Sequence, residues 1–204
     1  IYGPSAPTML GISGTLPISK DQKIIPLENY GVKCVSFGFI SDSHNPVIWR
    51  GPLVSKAIEQ FLYDVEWGET DYLILDLPPG TGDVQMSLIE NVPLHGAVIV
   101  TTPQDVALID AHKGLTMFEK LGVKTLGLVE NMATFKCQEC GTTHKIFGGD
   151  GVRKFCSERK VKILAELPLD PEIGLMGDKG TPAVLGDKHF SELFSDIVDA
   201  IETT

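Results

Sequence analysis

The sequence predicts an α/β fold built on a doubly wound, mostly parallel sheet, and three observations predict it. Short apolar runs of strand length recur, as at Tyr72–Leu77 (YLILDL) and Gly96–Thr101 (GAVIVT). Between such runs lie stretches whose apolar residues repeat at helical spacing. The runs are also continuous rather than alternating, as strands buried on both faces require. Strand and helix in alternation give parallel βαβ units, with ligands gathering at the carboxyl ends of the strands.

The elements follow in order. Val32–Ile40 (VKCVSFGFI) is apolar and rich in β-formers, and reads as the first strand. In Pro52–Trp67 the residues Leu53, Val54, Ala57, Ile58, Phe61, Leu62 and Val65 share one helical face. Tyr72–Leu77 reads as a buried strand stopped by Pro78-Pro79-Gly80, and a short helix is expected around Val84–Glu90. Gly96–Thr101 is the next strand, Gln104–Leu121 a helix and Val123–Val129 another strand. After a cysteine-bearing segment come a helix near Gly151–Arg159, a strand at Ile163–Leu167 and a last helix from about Lys188. With 204 residues, no internal repeat and no low-complexity stretch, one domain over 1–204 is expected.

Composition narrows the function. A net charge of −10 argues against nucleic acid as a partner, because phosphate-backbone binding needs clustered Lys and Arg. Four cysteines are too few for a disulfide framework and fit a reducing compartment, the cytoplasm or an organellar matrix. No run approaches the roughly 18 apolar residues of a membrane span, and no signal segment opens the chain, so no membrane partner is expected. Ile1 stands within what reads as the middle of a motif, so a further element is expected upstream.

Asp76 ends the run YLILDLPPGTGD, where a buried strand would deliver one carboxylate to the ligand-bearing edge of the sheet. A carboxylate there can hold Mg²⁺ through water, while Gly80 and Gly82 let the backbone approach a terminal phosphate. Asp83 would orient a water or sense that phosphate. The plainer alternative is a strand end followed by a Pro-Gly turn. A P-loop of the form G-x-x-x-x-G-K-[ST] is absent from the sequence. GGDGVRKF at 148–155 lacks a Ser or Thr after Lys154, and GDKGT at 177–181 has Lys and Gly in the wrong order.

Cys137 and Cys140 form a C-x-x-C pair followed by Gly141-Thr142-Thr143, and the residues alone leave several readings open. Two unmetallated thiols in a surface turn is one. A thioredoxin-like redox pair is another, although that motif opens a helix whereas this one runs into a turn. A zinc site completed by His144 and Cys156 would supply four ligands from one chain, at irregular spacing. Cys156 also reads as a buried thiol on a helix face, and Cys34 as a core residue.

Taken together, IYGPSAPTMLG at the start, WRGP at 49–52, WGETDYLILDLPPGTGDVQ at 67–85, TTPQDVALIDAHKG at 101–114, VENMA at 129–133, CQECG at 137–141, IFGGDG at 146–151 and LPLDPEI at 167–173 resemble the Mrp/ApbC iron–sulfur carrier ATPases over essentially the whole chain. That family belongs to the deviant Walker A P-loop NTPases, the class of MinD and the nitrogenase iron protein. The resemblance places the family's P-loop upstream of GPS, so the chain is similar to a member truncated at its N-terminus, lacking the first strand, P-loop and first helix. It implies that Asp76 is the Walker B aspartate, that 78–83, with Gly80, Gly82 and Asp83, is the switch II loop, that Asn131 recognises adenine, and that Pro168 packs beside the base. It further implies ATP with Mg²⁺ in the intact protein, no hydrolysis by this chain alone, and delivery of the cluster to apo iron–sulfur proteins.

For the cysteines the resemblance favours a [4Fe–4S] cluster bridging a homodimer through Cys137 and Cys140. Stoichiometry agrees, since such a cluster wants four sulfurs and two chains offer four. A zinc-stabilised scaffold without ATPase chemistry is the alternative function. A MinD-like ATPase at a membrane is a third, against which HFSELFSDIVDAIETT is acidic on its polar face.

Overall fold

In the computed structural model, residues 5–39, 51–78 and 80–203 are described, and they divide into two compact units. The first comprises residues up to Leu88 together with Leu175–Pro182, the second Ile89–Gly174 together with Ala183–Thr204. The outer parts of two motifs, residues 1–4 and 49–50, lie outside the described residues, as do Ile40 and Pro79.

The first unit opens on helix α1 (Ser5–Met9) and then a hairpin of β1 (Leu27–Asn29) and β2 (Val32–Cys34), paired antiparallel with Leu27 opposite Cys34. The expected long buried strand at Val32–Ile40 is therefore corrected to three residues, with Val32 47% exposed. Local turn chemistry decides this. Tyr30 and Gly31 both take positive φ, the geometry of a tight two-residue hairpin turn, which gives Val32 an antiparallel partner in Asn29, three residues back. Beyond β2, Ser36 Oγ accepts the Gly38 N–H and the chain coils into a 3-10 turn at Phe37–Phe39. Phe37 and Phe39 are buried, and the Phe37 ring lies 5.1 Å from that of Phe61 on helix α2 (Gly51–Tyr63).

Tyr72–Leu77 is a second correction. The run forms no strand, and Tyr72, Leu73 and Ile74 are exposed, Ile74 to 85%. An apolar run becomes a strand only when a neighbouring backbone takes up its N–H and C=O groups. Among the described residues no ladder forms along 72–78. Helix α3 (Asp83–Asn91) follows, beginning one residue before the expected Val84.

The second unit holds the parallel sheet. Strands β3 (Ala97–Thr101), β4 (Thr125–Glu130) and β7 (Ile163–Glu166) pair in the order β3-β4-β7, joined by crossover helices α4 (Asp105–Lys120) and α5 (Gly151–Arg159). A two-residue pair, β5 (Phe135–Lys136) with β6 (Thr143–His144), is inserted between β4 and α5. Helix α6 (Pro171–Asp178) and then α7 (Lys188–Glu202) follow.

The pleat puts alternate residues on opposite faces. Val98, Val129, Leu164 and Leu167 meet Leu193, Phe194 and Ile197 of α7, while Ile99 points at Gly114 of α4. Helices thus cover both faces of a parallel sheet, the doubly wound arrangement that the alternation of elements predicts. Asp187 caps α7 by accepting the His189 N–H. Among the described residues no helix is long and apolar enough to cross a membrane.

Candidate functional site

The carboxyl ends of the three strands come level, with Thr101, Glu130 and Glu166 as register partners across the sheet. Beyond them the ladder continues into the loops. Asn131 N–H donates to the Thr101 carbonyl at 2.7 Å, and Leu167 N–H to that of Glu130 at 2.8 Å. Ala133 N–H returns a bond to Leu167 at 2.9 Å, and Leu169 N–H reaches Thr134 at 2.6 Å. Residues 130–134 and 167–169 therefore run as a zipped pair of segments leading away from the sheet edge.

Asn131 sits at the start of this pair, half-buried, with its side-chain oxygen accepting the Met132 N–H at 3.0 Å. That bond turns the amide so that its NH₂ is the end free to donate, a fixed polarity suited to an acceptor on a ligand edge. Met132 takes φ +57°, left-handed for a residue with a side chain, so the turn holds local strain beside Asn131. Pro168, on the partner segment, is half-buried.

Four residues after Asn131 the chain enters the cysteine hairpin. Phe135 faces His144 and Lys136 faces Thr143 in β5–β6, and the turn beyond is closed by two backbone bonds of 2.9 Å, Cys137 N–H to Thr142 and Gly141 N–H to Cys137. Gly141 takes φ +71°, which the reversal needs and a side chain would oppose. This is a knuckle, not a helix opening, so the thioredoxin-like geometry is absent.

The two thiols differ in surroundings. Cys137 is half-buried and lines a cavity of about 310 Å³ with Lys136, Gln138, Gly141 and the Pro168–Pro171 segment. Cys140 is exposed, its sulfur 3.3 Å from the Thr142 hydroxyl. Hydrogen bonds from Thr142, side chain first and backbone second, then one from Cys137, draw the Cys140 thiol below its ordinary pKa, toward the thiolate that binds metal.

Cys156 lies elsewhere, 3% exposed on α5, and burial raises its pKa, with the Glu130 carboxylate adding to the shift. His144 is exposed on β6. Among the described residues no three His, Cys, Asp or Glu side chains converge as a metal set, and Cys137 and Cys140 stand there as a pair of thiols. Cys34 is half-buried in β2, and burial raises its thiol pKa as well.

In the first unit, Asp76 is exposed within the irregular stretch after Tyr72, rather than at the end of a strand. Gly80 takes φ +99° with open space where a Cβ would stand, and the Gly82 carbonyl receives the Met86 N–H at 3.2 Å at the start of α3. Asp83 is the first residue of that helix, and its side chain lies outside the described residues.

Three residues of interest escaped the sequence reading. Gln85 is 4% exposed and donates to the Pro78 carbonyl at 2.9 Å, tying α3 back to the loop before it. Glu130 is 6% exposed, and burial first, then the neighbouring Glu166, pushes its carboxyl pKa up against the opposing pull of Arg153 and Lys145. Thr142 is the third. A charged residue closing a five-residue buried run was the available signal for Glu130; for the others the pattern carried none.

A family model described as ParA, the NUBPL iron-transfer P-loop NTPases, matches residues 1–202. The chain belongs to this family. Among relatives of the NUBPL family, it is 43% identical over 99% of its length to the Arabidopsis thaliana "Iron-sulfur protein required for NADH dehydrogenase, mitochondrial", covering 66% of that protein. It is 43% identical to the mouse "Iron-sulfur cluster transfer protein NUBPL", covering 66% of it, and 44% identical to an Escherichia coli "Iron-sulfur cluster carrier protein", covering 55% of it. The chain thus spans between about half and two thirds of the length of these curated relatives.

Of solved structures, a nucleotide-binding protein from Archaeoglobus fulgidus, in complex with ADP and with cobalt found in it, superposes with a TM-score of 0.77 at 32% identity, over 94% of this chain and 75% of that one. The Pyrococcus furiosus cell division ATPase MinD matches at TM-score 0.54 and 24% identity, covering 76% of this chain and 59% of that one, a likeness of fold. The P-loop NTPase fold, deduced from motifs in a chain without a P-loop consensus, is the fold of this NUBPL-family chain.

Proposed function

We propose that this chain carries an iron–sulfur cluster and delivers it to apo-proteins, within a protein whose ATP cycle times the delivery. The observation that carries the reading is the knuckle: two cysteines on a closed hairpin turn, joined by no third donor among the described residues, in a chain of the iron-transfer family. Two thiols are half of what a [4Fe–4S] cluster needs, so a homodimer bridged by one cluster completes the set. The cluster is the cargo, and exposure of Cys140 leaves it open to a recipient.

The nucleotide half rests on the other motif residues. Asp76 would hold Mg²⁺ through water, Gly80, Gly82 and Asp83 would follow the terminal phosphate, and Asn131 and Pro168 would receive the base. The Met132 N–H on the Asn131 side-chain oxygen, which leaves the amide NH₂ as the donor, supports its part of this assignment. A P-loop lysine must come from outside these 204 residues, so the chain on its own binds ATP weakly and does not turn it over.

Anaerobic reconstitution with iron and sulfide tests the reading. The expected product absorbs broadly near ~400 nm, as thiolate-bound clusters do, with one cluster per pair of chains. A colourless monomer holding one zinc per chain, lost on substitution of His144 or Cys156, would overturn it in favour of a structural knuckle.

A further inference from the structure

We propose that Cys140 is the first ligand to leave when the cluster is handed on, that Cys137 is the anchor, and that Thr142 is the positioning residue which makes the two cysteines unequal. This deepens the cluster-carrier reading and rests on it.

The asymmetry is built into the hairpin. Cys137 is fixed through its own backbone, its N–H bonded to the Thr142 carbonyl and its carbonyl to the Gly141 N–H, both at 2.9 Å. Its side chain lies in the wall of the cavity formed with Pro168–Pro171, and the residue that precedes β5, Thr134, is bonded to that same segment through Leu169. Cys140 stands on the outside of the turn, exposed. Its sulfur is 3.3 Å from the Thr142 hydroxyl. Once Cys140 is a thiolate, the hydroxyl is the partner with a proton to donate. A hydrogen bond to a ligating sulfur withdraws electron density from the iron–sulfur bond, which raises the reduction potential and eases departure of the thiolate.

Thr142 holds this place because its carbonyl is the one that closes the turn with Cys137. The hydroxyl is therefore positioned by the backbone that defines the knuckle. Thr143, the next residue, is paired with Lys136 and belongs to the hairpin ladder.

The exchange balances without a redox step. A cysteine thiolate of the recipient forms a new bond to iron, the iron–sulfur bond to Cys140 breaks, and Cys140 leaves with its electron pair as a thiolate stabilised by the Thr142 hydroxyl. If the recipient sulfur arrives as a thiol, its proton ends on Cys140. The oxidation state of the cluster is unchanged.

The experiment uses the reconstituted full-length dimer and an excess of a small dithiol as acceptor, quenched during release with a fast alkylating agent and read by mass spectrometry. In the native protein, singly labelled chains are expected to carry the label on Cys140. Thr142→Val, which keeps size and loses only the hydroxyl, should slow release roughly fivefold, about the worth of one exposed hydrogen bond, and move the cluster potential to more negative values. Thr142→Ser should restore both. Cobalt(II) binding to each apo-variant, read by its thiolate charge-transfer band, shows whether the knuckle still closes. Labels shared equally between the cysteines, or found first on Cys137, overturn the proposal, as does a Thr142→Val protein with native potential and release. Failure of the native protein to form any cluster overturns the carrier reading itself, and the inference with it.

Discussion

The backbone N–H of Leu169 donates to the carbonyl of Thr134 across 2.6 Å, joining the segment that carries Pro168 to the one that leads through β5 into Cys137. Together with the Ala133–Leu167 bond, this makes the proposed base site and the cysteine knuckle neighbours on one backbone ladder. Leu169→Pro removes the donor without touching either cysteine. It is expected to cost about 1 kcal/mol of stability, the net worth of an intramolecular hydrogen bond, and to shorten the lifetime of a reconstituted cluster. Denaturant unfolding and the decay of the ~400 nm band check the two effects separately.

The four cysteines are expected to sort cleanly. Cys137→Ala or Cys140→Ala each removes two of the four sulfurs from a bridged dimer and should abolish cluster binding. Cys34→Ala and Cys156→Ala should leave iron content unchanged. Cys156→Ala, emptying a buried site on α5, should lower stability by about 1 kcal/mol. Iron and sulfide analysis beside thermal melts distinguishes the two classes.

Glu130 ties stability to pH. Burial raises its folded-state pKa above the unfolded value, so the neutral acid is the better tolerated form. Its favourable contribution is present in full below the unfolded pKa and is lost as pH rises through the folded one. The groups facing it are Glu166, Arg153, Lys145 and Asp150, with Cys156 also near. Glu130→Gln should therefore gain stability relative to the native protein as pH climbs from about 4 to 7. Denaturation midpoints measured across that range check the sign, and a variant that loses ground with rising pH would contradict it.

In the full-length protein, Asp76→Asn should reduce ATP hydrolysis by about 10²-fold, the usual loss when one charge-stabilising group is removed, while leaving cluster assembly intact. Asn131→Ala should weaken nucleotide affinity with less effect on the rate once nucleotide is bound. Steady-state kinetics with Mg-ATP separate these outcomes. Isothermal titration of the 204-residue chain should show no micromolar affinity.

Strong local signals were legible in the residues themselves. Ala97–Thr101, Thr125–Glu130 and Ile163–Glu166 are continuous β-rich runs between amphipathic stretches, and each folds as a parallel strand close to where the pattern puts it. The C-x-x-C-G spacing is likewise a local matter, because two sulfurs and a glycine turn need only one another to form a knuckle. Composition sets the expectation against nucleic acid for the same reason, since charge is a sum over residues and not over contacts.

What depends on distant neighbours was decided by the tertiary structure alone. Tyr72–Leu77 has the pattern of a buried strand yet forms none, because a run of apolar residues carries no information about which backbone will pair with it. The hairpin at Val32 is by contrast a local matter, in which the Tyr30-Gly31 turn outcompetes the longer apolar run. Glu130 is buried beside Glu166 and Arg153, and Cys137 lies against Pro168–Pro171, segments tens of residues away along the chain. Periodicity fixes which face a residue shares with its neighbours along the chain; only packing fixes what that face meets.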